Sequence, residues 1–215
     1  LPTISKSIKI NANQPEADLI TKVADELAKG KVGIFPTRCL YGLGTNAFDQ
    51  PSIERIFTIK KRPFNKPLLV LISDLEQLDD LVVNISPIAL ELMRCFWPGQ
   101  VTFLLKARSG LPNGIVGPDH KIGVRLAGSS IAVALVTQAG VPIIGTSANL
   151  SGQPGCYRID QMNPTILKVV DLIIDAGTLT GGLGSSVVDA TRPIPYMLRE
   201  GLLSQIKLKK VLANL

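Results

Sequence analysis

Histidine, cysteine and aromatic residues are scarce in this chain of 215 residues, which has one His, three Cys and only 5% Phe, Trp and Tyr. The cysteines, Cys39, Cys95 and Cys156, stand more than fifty residues apart, and only His120 could join them on a metal. A structural zinc site is therefore not expected. An odd, scattered set also gives no disulfide framework, and reduced thiols fit a cytoplasmic chain. The start, LPTISKSIKI, lacks the continuous apolar core of a signal peptide. Long apolar runs are missing too. No side chain is formally charged between Leu126 and Tyr157, yet the longest apolar run there, residues 131–136, is six residues. A membrane span needs about twenty, so a buried helix followed by a buried strand is expected, with no membrane contact. Acids run short as well: 17 Asp and Glu face 23 Lys and Arg, a formal charge of +6. That excess predicts anionic partners, either phosphorylated small molecules or nucleic acid.

What is present is ample core material, 46% hydrophobic against 19% charged, which excludes wholesale disorder. The length favours a single domain over residues 1–215. Apolar Leu19, Ile20, Val23, Ala24 and Leu27 predict an amphipathic helix over residues 15–29, with Gly30 placed to cap it. KVGIFP, residues 31–36, reads as a buried strand. Asp49 and Pro51 open a second helix through Ile53, Ile56 and Phe57 that Pro63 stops. Ser86 and Pro87 open a third over residues 88–95, and further helices are expected at about 129–139 and 159–170. Strands are expected over residues 68–72, 101–106, 122–126, 142–145, 172–175, 186–189 and 196–198. Strands and helices mingle without a strict βαβ rhythm, so the fold class is α/β with a mixed sheet and flanking helices.

Four segments could carry chemistry. GLGTNA, residues 42–47, fits a loose dinucleotide pattern, but its glycines do not open a helix directly and Lys60, Lys61 and Arg62 stand where an acid should meet a ribose. A tight turn with positive φ angles is the expectation there. KKRPFNKP, residues 60–67, places four cations at a helix end and the loop beyond. It reads as solvated charge complementing the helix dipole or as a clamp for polyphosphate. GTSANLSG, residues 145–152, sets small hydroxyl and amide groups at the carboxyl end of a buried strand, where open α/β sheets bind ligands, although a plain Ser and Asn turn would look the same. GGLGSS, residues 181–186, lacks the Gly-Lys-Ser/Thr ending of a P-loop and reads as a glycine loop. His120 reads as a solvated loop residue. With no GxSxG and a single histidine, serine hydrolase chemistry is not expected.

Together the segments resemble the YrdC family: PTRCLYGLG its first strand and turn, IKKRPFNKPL its KxRP element, FWPGQVTFLL its WPG element, IGVRL its strand arginine, GTSANLSGQP its SxN element, GSSVVD its STVVD element and MLREG its final LRxG. The resemblance covers about residues 15–203. It implies a single YrdC-like domain of short form, with a twisted mixed sheet and a large concave basic groove. It also implies synthesis of L-threonylcarbamoyl-adenylate from L-threonine, bicarbonate and ATP, with release of pyrophosphate, for threonylcarbamoyladenosine modification of tRNA. Carried over, Lys60, Arg62 and Lys66 would face the ATP phosphates, and Asn149 and Arg199 the nucleotide, with Lys121 and Tyr157 as flanking contacts. Arg125 would bind the threonine carboxylate, and Ser147 and Ser185, with Cys39 nearby, would contact the amino acid. Lys60, Arg62, Ser147 and Asn149 form the implied catalytic set. Mg2+ would arrive with ATP, since no carboxylate cluster offers a cage. Hand-over to a tRNA threonylcarbamoyltransferase complex follows, and direct RNA contact is a further expectation. Arg38 and Cys39 depart from the family's acid followed by Thr or Ser, and Leu71 stands where many members have histidine; all three are expected near the amino-acid pocket. An RNA-binding module, a paralogue acting on another carbamoyl or acyl substrate, and a silent paralogue binding AMP-like ligands remain the alternatives.

Overall fold

The computed structural model describes residues 6–117 and 119–215. In chain order the elements are β1 (Ser7–Lys9), α1 (Ala17–Ala28), β2 (Gly33–Pro36), β3 (Tyr41–Gly44), α2 (Gln50–Lys60), β4 (Val70–Ile72), α3 (Pro87–Phe96), β5 (Val101–Lys106) and β6 (Lys121–Leu126). There follow α4 (Ser130–Ala139), β7 (Ile143–Ile144), β8 (Thr146–Ser147), α5 (Pro164–Val169), β9 (Leu172–Asp175), β10 (Ser186–Asp189), β11 (Tyr196–Arg199) and α6 (Gln205–Leu212). The mixed sheet is in fact two. One runs β1-β9-β2-β3-β8 and the other β11-β10-β5-β6-β4-β7, each combining parallel and antiparallel pairs.

Local chemistry explains most of the helix ends. The Asp49 carboxylate accepts from Ser52 N at 3.0 Å, Pro51 sits in the first turn of α2, and Lys61 closes the helix at φ 49°. Ser86 and Ser129 cap α3 and α4 in the same way, and Gly140 ends α4 in the left-handed region at φ 65°. Strand alternation then sends neighbours to opposite sides. Ile34, Val70 and Ile173 join one core cluster; Phe35, Leu71, Leu172 and Ile174 join the other, beneath α1 and α4. Both faces are covered, which accounts for the near-continuous apolar strands.

The two sheets meet where β7 passes into β8 through Gly145. A Cβ on Gly145 would lie 2.3 Å from Leu71 Cγ, so Leu71 packs beneath this crossing. The GLGTNA segment corrects the turn expectation: Gly42 and Gly44 lie in β3 and neither has a positive φ. Glycine is required for close approach instead, since a Cβ on Gly44 would sit 1.9 Å from the Ile144 carbonyl oxygen. The helix expected at 159–170 is a single 3-10 turn, Ile159–Gln161, followed by the six-residue α5 that Asn163 caps. His120 is exposed in its loop, at φ 52°. Among the described residues no helix is long and apolar enough to cross a membrane.

Candidate active site

A cavity of about 430 Å³ opens between the two sheets, walled by residues 37–42 before and in β3, the turn after α2, the inner positions of β5 and β6, and the β7–β8 crossing. Four arginines reach it, Arg38, Arg62, Arg125 and Arg199, and Glu200 is the sole acid on its wall among the described residues. None of the ion pairs among the described residues involves these arginines. Arg62 folds back on its proline-braced turn, donating through Nε to Lys66 O at 2.6 Å and through Nη2 to Pro67 O at 3.0 Å, so its guanidinium is fixed before any ligand arrives. Arg199 donates to Ser185 O at 2.8 Å. The Ser185 and Thr102 hydroxyls meet at 2.9 Å on the facing wall.

Uncompensated positive charge leaves its mark on the acidities. Burial, and then the Arg199 charge, bring Arg125 down to about 10, and the same two causes lower Arg62. Burial alone lowers Arg199. A site whose cations repel one another and form no ion pair with a carboxylate is poised for a polyanion, which would relieve the repulsion on binding.

The loop after β8 is held from below. Lys60, 1% exposed, ends α2 and donates through Nζ to Ser147 O, to Asn149 O at 2.7 Å and to Asn149 Oδ1 at 3.4 Å. Burial first, and the Arg62 charge second, pull its amine down to about 7. Asn149 Nδ2 donates to Leu150 O at 2.9 Å and Gln153 O at 2.5 Å. Opposite, the buried Tyr41 hydroxyl donates to Gly177 O at 2.7 Å and accepts from Ala176 N at 3.0 Å, tying β3 to the chain beyond β9. Burial is the main cause that pushes this phenol up to about 12.

The fold therefore gathers Cys39, Arg62, Arg125, Ser147, Ser185 and Arg199 on one cavity wall. It places the other expected residues elsewhere. Lys60 is turned away from the cavity into the 147–149 backbone, because the end of α2 is covered by that loop. Asn149 and Tyr157 line a second cleft, also about 430 Å³, that touches the first only at Gly155. Lys121 is committed to the buried Asp189 at 2.8 Å, and Lys66 is exposed on its turn. Leu71 lies under the wall instead of in it. Arg38, a departure from the family pattern expected near the amino-acid pocket, is a wall residue, and Thr102 was not anticipated at all. A hydroxyl residue pointing inward from a strand next to a tryptophan-proline corner was the available signal.

Comparison with known proteins adds to this geometry. The Sua5/YciO/YrdC family model, described as "Telomere recombination", matches residues 25–201. The chain belongs to that family. The curated threonylcarbamoyl-AMP synthase of Pyrococcus abyssi (strain GE5 / Orsay) is 35% identical over 189 residues, 88% of this chain and 56% of that protein. The putative threonylcarbamoyl-AMP synthase of Methanocaldococcus jannaschii is 31% identical over 208 residues, 96% of this chain and 98% of that protein. The structure of P. abyssi Sua5 complexed with L-threonine superposes with a TM-score of 0.90 at 34% identity, covering 96% of this chain and 61% of that one. The chain thus spans a little over half the length of the P. abyssi relative.

Proposed function

We propose that this chain is a threonylcarbamoyl-adenylate synthase. One observation carries the reading: four guanidinium groups converge on a single cavity with one carboxylate, beside the hydroxyls of Thr102, Ser147 and Ser185. Such a wall suits a nucleoside triphosphate and an amino-acid carboxylate together. The family relatives named for this product support the choice of reaction.

In this reaction the threonine amine adds to carbon dioxide from bicarbonate to give a carbamate, and water is released. A carbamate oxygen then forms a bond to the α-phosphorus of ATP as the bond to pyrophosphate breaks. No covalent enzyme intermediate is needed. The chain supplies position and charge. Arg125 pairs with the threonine carboxylate, while Arg62 and Arg199 neutralise phosphate oxygens and the departing pyrophosphate. Arg38 adds positive charge at the cavity edge beside Gly99. Among the described residues no three His, Cys, Asp or Glu side chains gather to hold a metal. On this reading Mg2+ enters as part of the MgATP substrate. Free thiols at Cys39, Cys95 and Cys156 suit a reducing cytoplasm, and the product would pass to a tRNA threonylcarbamoyltransferase.

The test is pyrophosphate release from MgATP and bicarbonate, with and without each of the common amino acids. Release that requires threonine is the expected result. Release of equal rate with every amino acid, or none at all, overturns the assignment.

A further inference from the structure

We propose that Thr102 is a positioning residue for the reaction: its hydroxyl donates to Ser185, which leaves the Ser185 proton for an anionic oxygen of the bound amino acid. The proposal rests on the reading of the cavity as the site of threonine and ATP.

Strand alternation brings the two hydroxyls together. On β5, Thr102 and Leu104 line the cavity while Val101, Phe103 and Leu105 join the core; on β10, Val187 lines the cavity and Val188 joins the core. The two strands run parallel, with Ser186 beside Val101 and Val187 beside Thr102, so Ser185, one residue before β10, reaches the cavity face next to Thr102. Their hydroxyl oxygens lie 2.9 Å apart. Each residue is only 2% exposed, which leaves the pair little solvent to bond instead. A valine would fill the same space on β5 without burying a polar group, so packing alone does not account for the hydroxyl.

A hydroxyl carries one proton and two lone pairs, so the pair holds two protons and the bond between them uses one. Among the described residues neither hydroxyl has a second protein partner. Which proton stays free decides what the wall can bind. Arg199 donates to the Ser185 carbonyl at 2.8 Å, so a guanidinium is held beside the same residue, and Arg125 lines the same cavity. An anionic oxygen drawn to these charges can only accept. Its arrival selects the order Thr102 to Ser185 to ligand, a chain in which each bond polarises the next. Without the Thr102 hydroxyl, Ser185 would remain in place but free to rotate, so the loss falls on orientation of the amino acid and not on the charge of the cavity.

Threonine binding by calorimetry and threonine-dependent pyrophosphate release test this in Thr102→Val, which keeps the shape and loses the hydroxyl, and in Thr102→Ser, which keeps the hydroxyl and loses the methyl. Thr102→Val should weaken threonine binding and lower kcat/KM for threonine about tenfold, with KM for ATP within about twofold of the unmodified protein, while Thr102→Ser should stay within about threefold throughout. In a Ser185→Ala background, Thr102→Val should add no more than about a twofold loss, since Thr102 acts only through Ser185. Unaltered threonine kinetics in Thr102→Val, a Thr102→Ser variant that fails as badly, or losses that multiply in the double variant would overturn the proposal. Should Thr102→Val fail to fold, Thr102→Ala and Thr102→Ser, which differ by the hydroxyl alone, make the same comparison. Unmodified protein that binds threonine yet releases no pyrophosphate removes the reading of the reaction; threonine binding about tenfold weaker in Thr102→Val then still upholds the positioning role, and equal binding refutes it. Unmodified protein that binds no threonine overturns both.

Discussion

Arg125 gives the sharpest trade between stability and function. It sits on β6 facing the cavity, partly buried, with no ion-pair partner among the described residues and with Arg199 as the charge that perturbs it most. Holding its charge there brings its acidity well below the usual guanidinium range, to about 10, which at about 1.36 kcal/mol per pKa unit is a cost to the folded state of about 3 kcal/mol. Solvent in the open cavity screens part of that, so about 1–2 kcal/mol is the realisable share. Arg125→Met keeps the apolar stem and discards the charge. The fold should gain that amount, raising Tm by roughly 2–6 °C for a chain of this size. Threonine-dependent pyrophosphate release should fall by about 10²-fold or more, because the threonine carboxylate loses the guanidinium proposed to pair with it. Thermal melting and a pyrophosphate-coupled assay on one preparation read both. A Tm lowered by several degrees, or unaltered threonine-dependent turnover, would refute the reasoning.

Three other substitutions probe the frame. In Lys121→Met the nearly inaccessible Asp189 loses its cation, at an expected cost of about 2–3 kcal/mol in urea unfolding. Burial raises the Asp189 carboxyl, but bonds from Lys121 and Thr191 outweigh it and hold the group below its usual value of 3.8. Its stabilisation is present above that pH and is lost as pH falls through the depressed value, so Lys121→Met should unfold at higher pH in an acid titration; weakened ATP binding at unchanged Tm would instead show a direct contact. Gly44→Ala puts a Cβ into the Ile144 carbonyl and should cost about 3 kcal/mol or more, so a Tm within two or three degrees of the parent would contradict the close approach of the sheets. Thr45→Val removes a buried hydroxyl that has no partner and should be neutral or stabilising by about 1 kcal/mol in the same unfolding assay, with destabilisation beyond about 1 kcal/mol as the contrary outcome.

Elements whose residues speak for themselves were legible in the sequence. The segments Val101–Lys106, Leu172–Asp175 and Ser186–Asp189 are strands with the expected bounds, and Asp49 with Pro51 does open α2. What depends on distant neighbours was not. Glycines 42 and 44 suggest a turn until the Ile144 carbonyl is seen against Gly44 and the Thr37 methyl against Gly42. Lys60 and Asn149 have the polarity of ligand contacts, and only the packing of the 147–151 loop on the end of α2 shows where their hydrogen bonds go. The proposed anion site is spread over Arg38, Arg62, Arg125 and Arg199, positions that composition reports as surplus charge and that only the motif order or the folded sheets bring together. Strands β1 and β8 are too short to show a period, and α6, with Ile206 82% exposed, has too little buried face to announce itself.

The direct measurement is the product. Incubation with 13C-bicarbonate, L-threonine and MgATP, followed by rapid mass analysis, should show one 13C atom in a threonine–carbamoyl–adenylate adduct formed in step with pyrophosphate. Pyrophosphate or ADP accumulating while no adduct carries the label would contradict the account of the cavity as a site that joins all three substrates.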